Sequence, residues 1–437
     1  MHTLQQLFSG ELAGAKHLKL SCGLTEFPEE IFTLAGSLEV LDLSGNRLSK
    51  LPDDFARLSR LKICFFSDNL FRELPDVLSG CKELSMVGFK SNLIEFVPES
   101  SLPEKLRWFI LTNNKIKKLP KAIGNCYLLQ KAAFAGNCLT ELPEEMARCK
   151  NLELLRISAN KLTELPGWLL DLPRLSWLAF AGNPFSYVPV DSQQLGEVSW
   201  NEFEILEQLG EGASGNIYKA LWHKKSGSVE VAVKVFKGEV TSDGFPDDEI
   251  RASVSAGMHP GLVKLSGKIK DHPAKRYGLI MDLIPSSFYN LGLPPSLDTC
   301  SRDTFKPGTV FTVGQILKIA TAIASATGHL HERGISHGDL YAHNTLVDED
   351  SNALIGDFGA ASFYKAGSPR SEKIQQLESR AFGCFLDDLL MLLAPGEAEQ
   401  GITKKLTQLK EDLMQENVSS RPVFEIVLKR LNEMWSY

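Results

Sequence analysis

The sequence predicts two domains of different construction: a solenoid of short repeats in the N-terminal half and a compact α+β domain in the C-terminal half. Three observations carry the prediction. An Asn recurs at a nearly fixed period through the first half of the chain. The pattern stops at a polar stretch, Asp191-Ser-Gln-Gln-Leu-Gly-Glu197, of linker composition. The 437 residues are too many for one ordinary hydrophobic core.

Asn46, Asn69, Asn92, Asn114, Asn137, Asn160 and Asn183 are separated by 23, 23, 22, 23, 23 and 23 residues, each in the frame L-x-L-x-x-N-x-L-x-x-L-P or a close variant. Pro52, Pro75, Pro98, Pro120, Pro143, Pro166 and Pro189 keep step with them, and Leu18 to Pro28 is a shortened first copy without the Asn. This is the period and pattern of leucine-rich repeats. The Leu-Pro step resembles the short repeats of intracellular proteins of that class, over residues 17–190. In each copy a short strand (Leu41 to Leu43, Phe109 to Leu111, Leu155 to Ile157) is expected to turn its apolar side chains inward. The Asn is expected to satisfy backbone groups at the turn leaving it. No copy buries its face alone, so stability is shared between neighbours.

Positions alternating with the buried leucines face the concave surface. They are Val40, Ile63, Phe65, Met86, Trp108, Ile110, Leu154 and Trp177, with Asp42, Lys90, Lys131 and Arg156 the charged members. An apolar cluster of that size marks a protein-binding surface, for a protein substrate or regulator or for the chain's own second domain. Residues 1–16, with Leu4, Leu7, Phe8 and Leu12, read as a short amphipathic cap on the first repeat. Residues 191–200 read as a linker that spans at most about 35 Å.

Hydrophobic content of 43% and charged content of 23% are those of a soluble globular protein. A net charge of −7 argues against a nucleic-acid-binding surface, which needs a basic face. Eight scattered cysteines form no C-x-x-C pair, as expected of reduced thiols in the cytoplasm. The N-terminus has no charged-then-apolar signal pattern, and no run of about 18 apolar residues occurs, so no membrane span is expected.

The second half, residues 201–437, carries the chemistry. An Asp followed five residues later by an Asn, and then by Asp-Phe-Gly, occurs as Asp339, Asn344 and Asp357-Phe-Gly359. This set suits phosphoryl transfer: one carboxylate accepts a hydroxyl proton, while an amide and a second carboxylate hold metal ions on the phosphates. Upstream, the strand Glu202 to Leu209 leads into Leu209-Gly210-Glu211-Gly212-Ala213-Ser214-Gly215-Asn216-Ile217. G-x-G-x-x-G alone is a weak signal that could open a dinucleotide-binding βα unit, but a strand follows, which favours a glycine-rich hairpin over phosphates. Val231-Ala-Val-Lys234 then places an ammonium on an apolar strand.

With all four motifs in chain order, residues 200–437 resemble a eukaryotic-type protein kinase domain, which implies a bilobal α+β fold. The resemblance implies that Leu209 to Ile217 cover ATP, that Lys234 contacts its phosphates, that Asp339 is the base, and that Asn344 and Asp357 bind magnesium. It implies a helix at Asp247-Asp-Glu-Ile-Arg whose Glu249, or alternatively Asp248, pairs with Lys234. Leu279 to Ile284 resembles the strand and hinge behind adenine, with Met281 as gatekeeper and hydrogen bonds from the backbone around Asp282 and Ile284. Residues 285–310 read as an irregular connection, and Ile316 to Arg333 as the helix before the catalytic loop.

Departures from the family pattern narrow the expectation. Gly338 stands where the family has Arg before the catalytic Asp, so ordering by activation-segment phosphorylation is not expected. Tyr341 replaces the catalytic-loop Lys of serine/threonine kinases, and His343 occupies a place where tyrosine kinases carry Arg. No Ala-Pro-Glu follows Asp-Phe-Gly, and Glu372 or Glu378 is expected to pair with Arg421 in its stead. The reading is therefore an ATP- and magnesium-dependent protein kinase, serine/threonine favoured. A nucleotide-binding scaffold acting through the repeats is the alternative, followed by a small-molecule kinase.

Overall fold

The structure, a computed structural model, describes residues 2–187, 196–212, 214–238, 240–241, 243–398 and 401–435. Residues 191–195 of the expected linker, Pro189 and Ala213 lie outside the described residues. The chain divides into two compact units, residues 1–175 with 183–185, and residues 176–182 with 186–437.

The first unit opens with helix α1 (Leu4–Phe8), whose Thr3 and Gln6 form a reciprocal capping box. Its apolar face is narrower than expected: Leu7 is buried, but Phe8 points outward with 58% of its surface exposed. Seven three-residue strands then follow at the repeat period: β1 (His17–Lys19), β2 (Val40–Asp42), β3 (Ile63–Phe65), β4 (Met86–Gly88), β5 (Trp108–Ile110), β6 (Lys131–Ala133) and β7 (Leu154–Arg156). Each pairs in parallel with the next, in unbroken register. Most Leu-Pro steps lead into a 3₁₀ turn, because proline fixes φ near the value its first residue needs: Pro75, Pro98, Pro120, Pro143 and Pro166 all have φ between −60° and −69°.

The Asn side chains bridge adjacent repeats. Asn69 Oδ1 accepts from Leu48 N at 2.8 Å, while its amide donates to Leu43 O at 2.9 Å and Phe66 O at 3.2 Å. Asn92, Asn114, Asn137 and Asn160 repeat the arrangement. Polar groups that a core would orphan are paired instead. The residue before each Asn adopts a left-handed conformation, even where it is Asp68, Ser91, Asn113 or Ala159, with φ between 52° and 57°. Such strain persists only where the surroundings over-determine it, here by the ladder that follows. Within the stack, Phe55, Phe66, Phe71 and Phe89 form a continuous aromatic file, with neighbouring ring centroids 5.0–6.2 Å apart.

The concave face is less open than expected. Val40, Phe65, Trp108 and Ile110 are half-buried, and Ile63, Met86 and Leu154 are buried. Parallel strands about 4.8 Å apart bring same-face side chains together, so each shields the next; Lys131 Nζ, for example, lies 4.3 Å from the Trp108 ring centre.

In the second unit, the short strand β8 (Trp177–Ala179) precedes β9 (Glu197–Ser199), β10 (Phe203–Glu211), β11 (Gly215–Lys224) and β12 (Gly227–Phe236). Helix α2 (Pro246–Ala256), strands β13 (Leu265–Lys270), β14 (Gly278–Asp282) and β15 (Tyr289–Asn290), and helix α3 (Val313–Glu332) come next. Then follow β16 (Ile335–Ser336), β17 (Thr345–Val347), β18 (Ala353–Ile355), β19 (Ser362–Phe363), and helices α4 (Ser371–Met391), α5 (Gly401–Leu413) and α6 (Phe424–Met434). A six-stranded sheet in the order β10-β11-β12-β14-β13-β9 makes one lobe around Val198, Phe203, Ala220, Val231, Val233, Val235, Ile269 and Ile280. The other lobe is helical, with the small sheets β15-β17-β18 and β16-β19 beside it.

Two boundaries differ from expectation. Helix α3 begins three residues early because Thr312 and Gln315 cap it reciprocally. Helix α4 begins at Ser371, so Glu378 lies inside it. That carboxylate does not serve Arg421. Arg421 donates to Gln415 O at 2.8 Å, while Glu378 is turned toward the loop before Asp339.

Candidate active site

Strands β10 and β11 form an antiparallel hairpin whose tip is the glycine-rich stretch, with Gly210 opposite Ile217 and Glu211 opposite Asn216. Gly212 N donates to Gly215 O at 2.9 Å and closes the turn. Gly215 is required by packing, because a Cβ there would fall 2.7 Å from Val235 O on β12. At Gly210 no atom of the described residues beyond its chain neighbours lies within 4 Å of where a Cβ would sit, so no packing contact among them accounts for the glycine. Leu209 is exposed, Ser214 is buried, and Asn216 and Ile217 are half-buried along β11.

Lys234 sits on the inner strand β12, 6% exposed, with an apolar neighbour on each side. Its ammonium forms a short ion pair with Glu249 Oε1 and lies 3.4 Å from Asp357 Oδ1. Of the two carboxylates left open by the sequence, Glu249 is therefore the partner. Asp248 lies instead 3.7 Å from Arg251. Burial works against the Lys234 charge, but Asp357 and Glu249 outweigh it and raise its pKa above the usual lysine range. Burial pushes Glu249 the other way, up to about 7, against the pull of Lys234.

Asp357 has a left-handed backbone, φ 55°, and nearly half of its side chain is open to solvent even though protein surrounds it densely. That density works to raise its pKa, but Lys234 and the Gly359 N–H outweigh it and hold the carboxyl below its usual range. A non-glycine residue held left-handed costs on the order of 1–2 kcal/mol, and such strain gathers at ligand sites.

Asp339 and Asn344 form the second pair. Asn344 Nδ2 donates to Asp339 Oδ2 at 2.9 Å and to Asp339 O at 3.0 Å. The pair is tied to the Asp-Phe-Gly segment through His337, whose Nε2 lies 3.0 Å from Gly356 O and whose ring stands 5.4 Å from Phe358. His337 Nδ1 accepts from Asp339 N at 3.3 Å. One ammonium, three carboxylates and one amide thus converge on one cleft between the two lobes of this unit.

At the hinge, Asp282 N donates to Lys264 O at 3.0 Å, and the Asp282 carboxylate takes Ser266 and Lys264. The Asp282 N–H is therefore engaged within the sheet, and Leu283 and Ile284 follow just past the end of β14. Met281 stands opposite Ala232 of β12, half-buried.

Two further acidic residues support the loop: Glu378, which the sequence assigns to a different partner, and Asp303, which it does not single out. Glu378, 2% exposed, accepts from Gly338 N at 2.6 Å, His337 N at 3.1 Å and Ser336 Oγ at 3.2 Å, with His331 Nε2 3.0 Å away. Its burial works to raise its pKa, but His331 and these donors outweigh it and keep it ionised below the usual range. It anchors the backbone that presents Asp339. Asp303 comes from the irregular connection before α3. It accepts from His343 N at 2.8 Å and holds His343 Nδ1 at 2.6 Å. Burial would lower the His343 pKa, but Asp303 outweighs it, and Asp339 and Asp357 add to the rise. The Glu378 signal was in the sequence as an acidic residue at an interior helix position; for Asp303 there was none.

The donor set for a cation is small. Asp357, Asn344 and Asp339 are oxygen ligands suited to a hard divalent ion. Among the described residues no group of three or more His, Cys, Asp or Glu forms a closed metal cage. Two protein ligands completed by phosphate oxygens is the mode expected for magnesium with a nucleotide, and the residues fit it.

The hairpin, the buried Lys–Glu pair and the two acidic loops are groups of the kind that nucleotide handling and phosphoryl transfer use. Comparison with known proteins makes the class specific. Residues 203–380 match the family model for protein tyrosine and serine/threonine kinases, and residues 37–58 match a leucine-rich repeat. A Dictyostelium discoideum protein described as a probable serine/threonine-protein kinase is 30% identical over 192 residues, covering 42% of this chain and 11% of that protein. A probable serine/threonine-protein kinase of Arabidopsis thaliana is 26% identical over 212 residues, 47% of this chain and 26% of that protein. Cyclin-dependent kinase 11B of Rattus norvegicus is 29% identical over 170 residues, 38% and 35% of the two chains. The chain spans between about a tenth and a third of the length of these relatives. Over these residues the chain is similar to a leucine-rich repeat and to a protein kinase domain.

Proposed function

We propose that the second unit transfers the γ-phosphoryl group of ATP, with magnesium, to protein hydroxyl groups, serine or threonine being favoured. The observation that carries this reading is Lys234 Nζ paired at once with Glu249 and Asp357. An ammonium so placed is held charged and oriented for phosphate oxygens. Gly210, on which no described residue beyond its chain neighbours makes a steric demand, supports close approach of phosphate beneath the hairpin. Ala213, expected to belong to the hairpin tip, lies outside the described residues. Ile284 donates to adenine. Magnesium, bound by Asn344 and Asp357, would neutralise charge on the phosphates.

Asp339 accepts the proton of the attacking hydroxyl. Its carboxylate is turned for the task by the Asn344 amide, and its main chain is fixed by Glu378 through Gly338 and His337. His343, held by Asp303, supplies positive charge near the reacting phosphate in place of the missing lysine. Catalysis of this kind rests mainly on positioning and preorganised charge. The repeats bind a protein substrate or regulator through their concave face. A cytoplasmic location is supported by eight cysteines that are all free thiols, and no helix among the described residues is long and apolar enough to cross a membrane.

A second reading, a nucleotide-binding scaffold with little turnover, is favoured by one observation: Tyr341, in place of the catalytic-loop lysine, is only 5% exposed and offers no cation. Labelled ATP and magnesium decide between them. Transfer to the chain or to casein, lost in Asp339→Asn, supports the kinase. ATP binding with no transfer in the wild type supports the scaffold.

A further inference from the structure

The segment Ser176–Gly182 has no part in the chemistry described above, yet it touches the loop that presents Asp339, the strand after Asp-Phe-Gly, helix α4 and the start of helix α2. Trp177 is 1% exposed. Its indole stacks on the Tyr341 ring, centroids 4.4 Å apart and planes 8° from parallel, and its Nε1 donates to Leu340 O at 3.0 Å. Leu340 and Tyr341 are the two residues that follow Asp339. Three residues further on, Phe180 N donates to Ser362 Oγ at 2.9 Å, on the strand that pairs with Ile335–Ser336 just before the loop. At the start of the segment Ser176 Oγ accepts from Arg380 Nη1 at 2.7 Å, one half-turn along α4 from Glu378.

The segment and the loop are built for each other. Gly338 has φ 71°, and a Cβ there would fall 2.6 Å from Ala360 O and 2.8 Å from Leu178 O. A side chain at this position would have to displace the segment, so the glycine and the strap require one another. At the other end a Cβ on Gly182 would meet Asp248 Oδ2 at 2.6 Å and Phe245 at 2.9 Å, at the start of the helix that presents Glu249.

We propose that Ser176–Gly182 is a built-in strap that fixes the catalytic loop for transfer, with Trp177 as its positioning residue. The assignment rests on the kinase reading for its effect on rate. Four anchors, on the loop, on the strand after Asp-Phe-Gly, on α4 and beside α2, come from seven residues whose order is set by the repeat sequence. The loop therefore takes its shape from that segment, with no phosphate needed to hold it. A misplacement of about 1 Å in a positioned group costs about a hundredfold in rate.

The test uses the full chain with ATP, magnesium and casein. Trp177→Ala is expected to lower kcat by about ten- to a hundredfold while leaving KM for ATP within about twofold, because Lys234 and the hairpin are untouched. Trp177→Phe keeps the ring stack without the N–H donor and is expected to lose less. Ser362→Ala removes a separate anchor and serves if Trp177→Ala fails to fold. Hydrogen exchange of residues 337–344 is read in parallel, and faster exchange there in either variant, with the rest of the unit unchanged, is the expected result. Unchanged exchange and kcat in all variants overturn the strap. Faster exchange in a chain whose wild type transfers no phosphate keeps the strap and overturns the kinase reading.

Discussion

Replacing Lys234 with Met removes the ammonium from between two carboxylates and leaves a packed, uncharged side chain. Lys234 is 6% exposed and Glu249 3%, so the change strands Glu249 as a buried acid with Asp357 nearby. Breaking a buried pair from one side costs about 3–5 kcal/mol when the orphaned charge has no escape. Here it has one. Glu249 titrates at about 7 even beside Lys234, and losing that ammonium moves it higher. The unfolded chain has the same carboxyl ionised at both pH 6 and pH 8. The folded variant therefore binds a proton that the unfolded one does not, and its stability falls as pH rises, by up to about 1.4 kcal/mol per pH unit. Wild-type Glu249 itself titrates over this range, so the expected destabilisation relative to wild type is about 1 kcal/mol at pH 6 and about 2 kcal/mol at pH 8. Urea unfolding, following the transition that ATP shifts, measures it. Adding Glu249→Gln to Lys234→Met should recover most of the loss at pH 8. Equal destabilisation at both pH values, with no recovery in the double variant, would refute the buried-pair reasoning.

Four further outcomes are expected. Asp339→Asn should retain ATP binding and lose about a hundred- to ten-thousandfold in transfer rate, the usual worth of a positioned base, in a single-turnover assay. For His343 the folded pKa is raised, so its contribution is whole below the ordinary histidine range and fades as pH climbs through the raised value; transfer rate should fall along that limb, and His343→Gln should flatten it. Asn114→Ala should destabilise the first unit by about 1–3 kcal/mol through the backbone groups it orphans, read by thermal unfolding. Glu378→Gln should lower kcat more than KM for ATP, since it acts on the loop through Gly338 and His337.

The repeat array was legible almost in full because its period, its Asn ladder and its Leu-Pro steps are local and repeated. What the sequence hid there was mutual shielding: Ile63 and Met86 alternate like surface residues yet are buried by same-face neighbours. In the second unit, short motifs on a strand, a hairpin and two loops stood out, and the structure gathers Lys234, Glu249, Asp339, Asn344 and Asp357 in one cleft. The choice between Asp248 and Glu249 needed helix phase, which a one-residue offset in spacing obscures. Asp303 could not be read, because it meets the site across a long sequence separation and stands in no motif, and Trp177 was legible only as a concave-face position of the repeats, not as a neighbour of Tyr341. Glu378 was noticed but given the wrong partner. Its helix begins at Ser371, which turns the carboxylate toward the loop instead of Arg421.

The central claim is that Lys234, Asn344 and Asp357 grip one nucleotide together with a divalent ion. Titrating ATP into the wild type and Asp357→Asn, each with and without Mn²⁺ as a paramagnetic substitute for magnesium, tests it directly. The account predicts that wild-type affinity for ATP rises with the ion, that protein-bound Mn²⁺ appears only with ATP, and that both effects vanish in Asp357→Asn. Ion-dependent ATP binding that survives unchanged in that variant would contradict it.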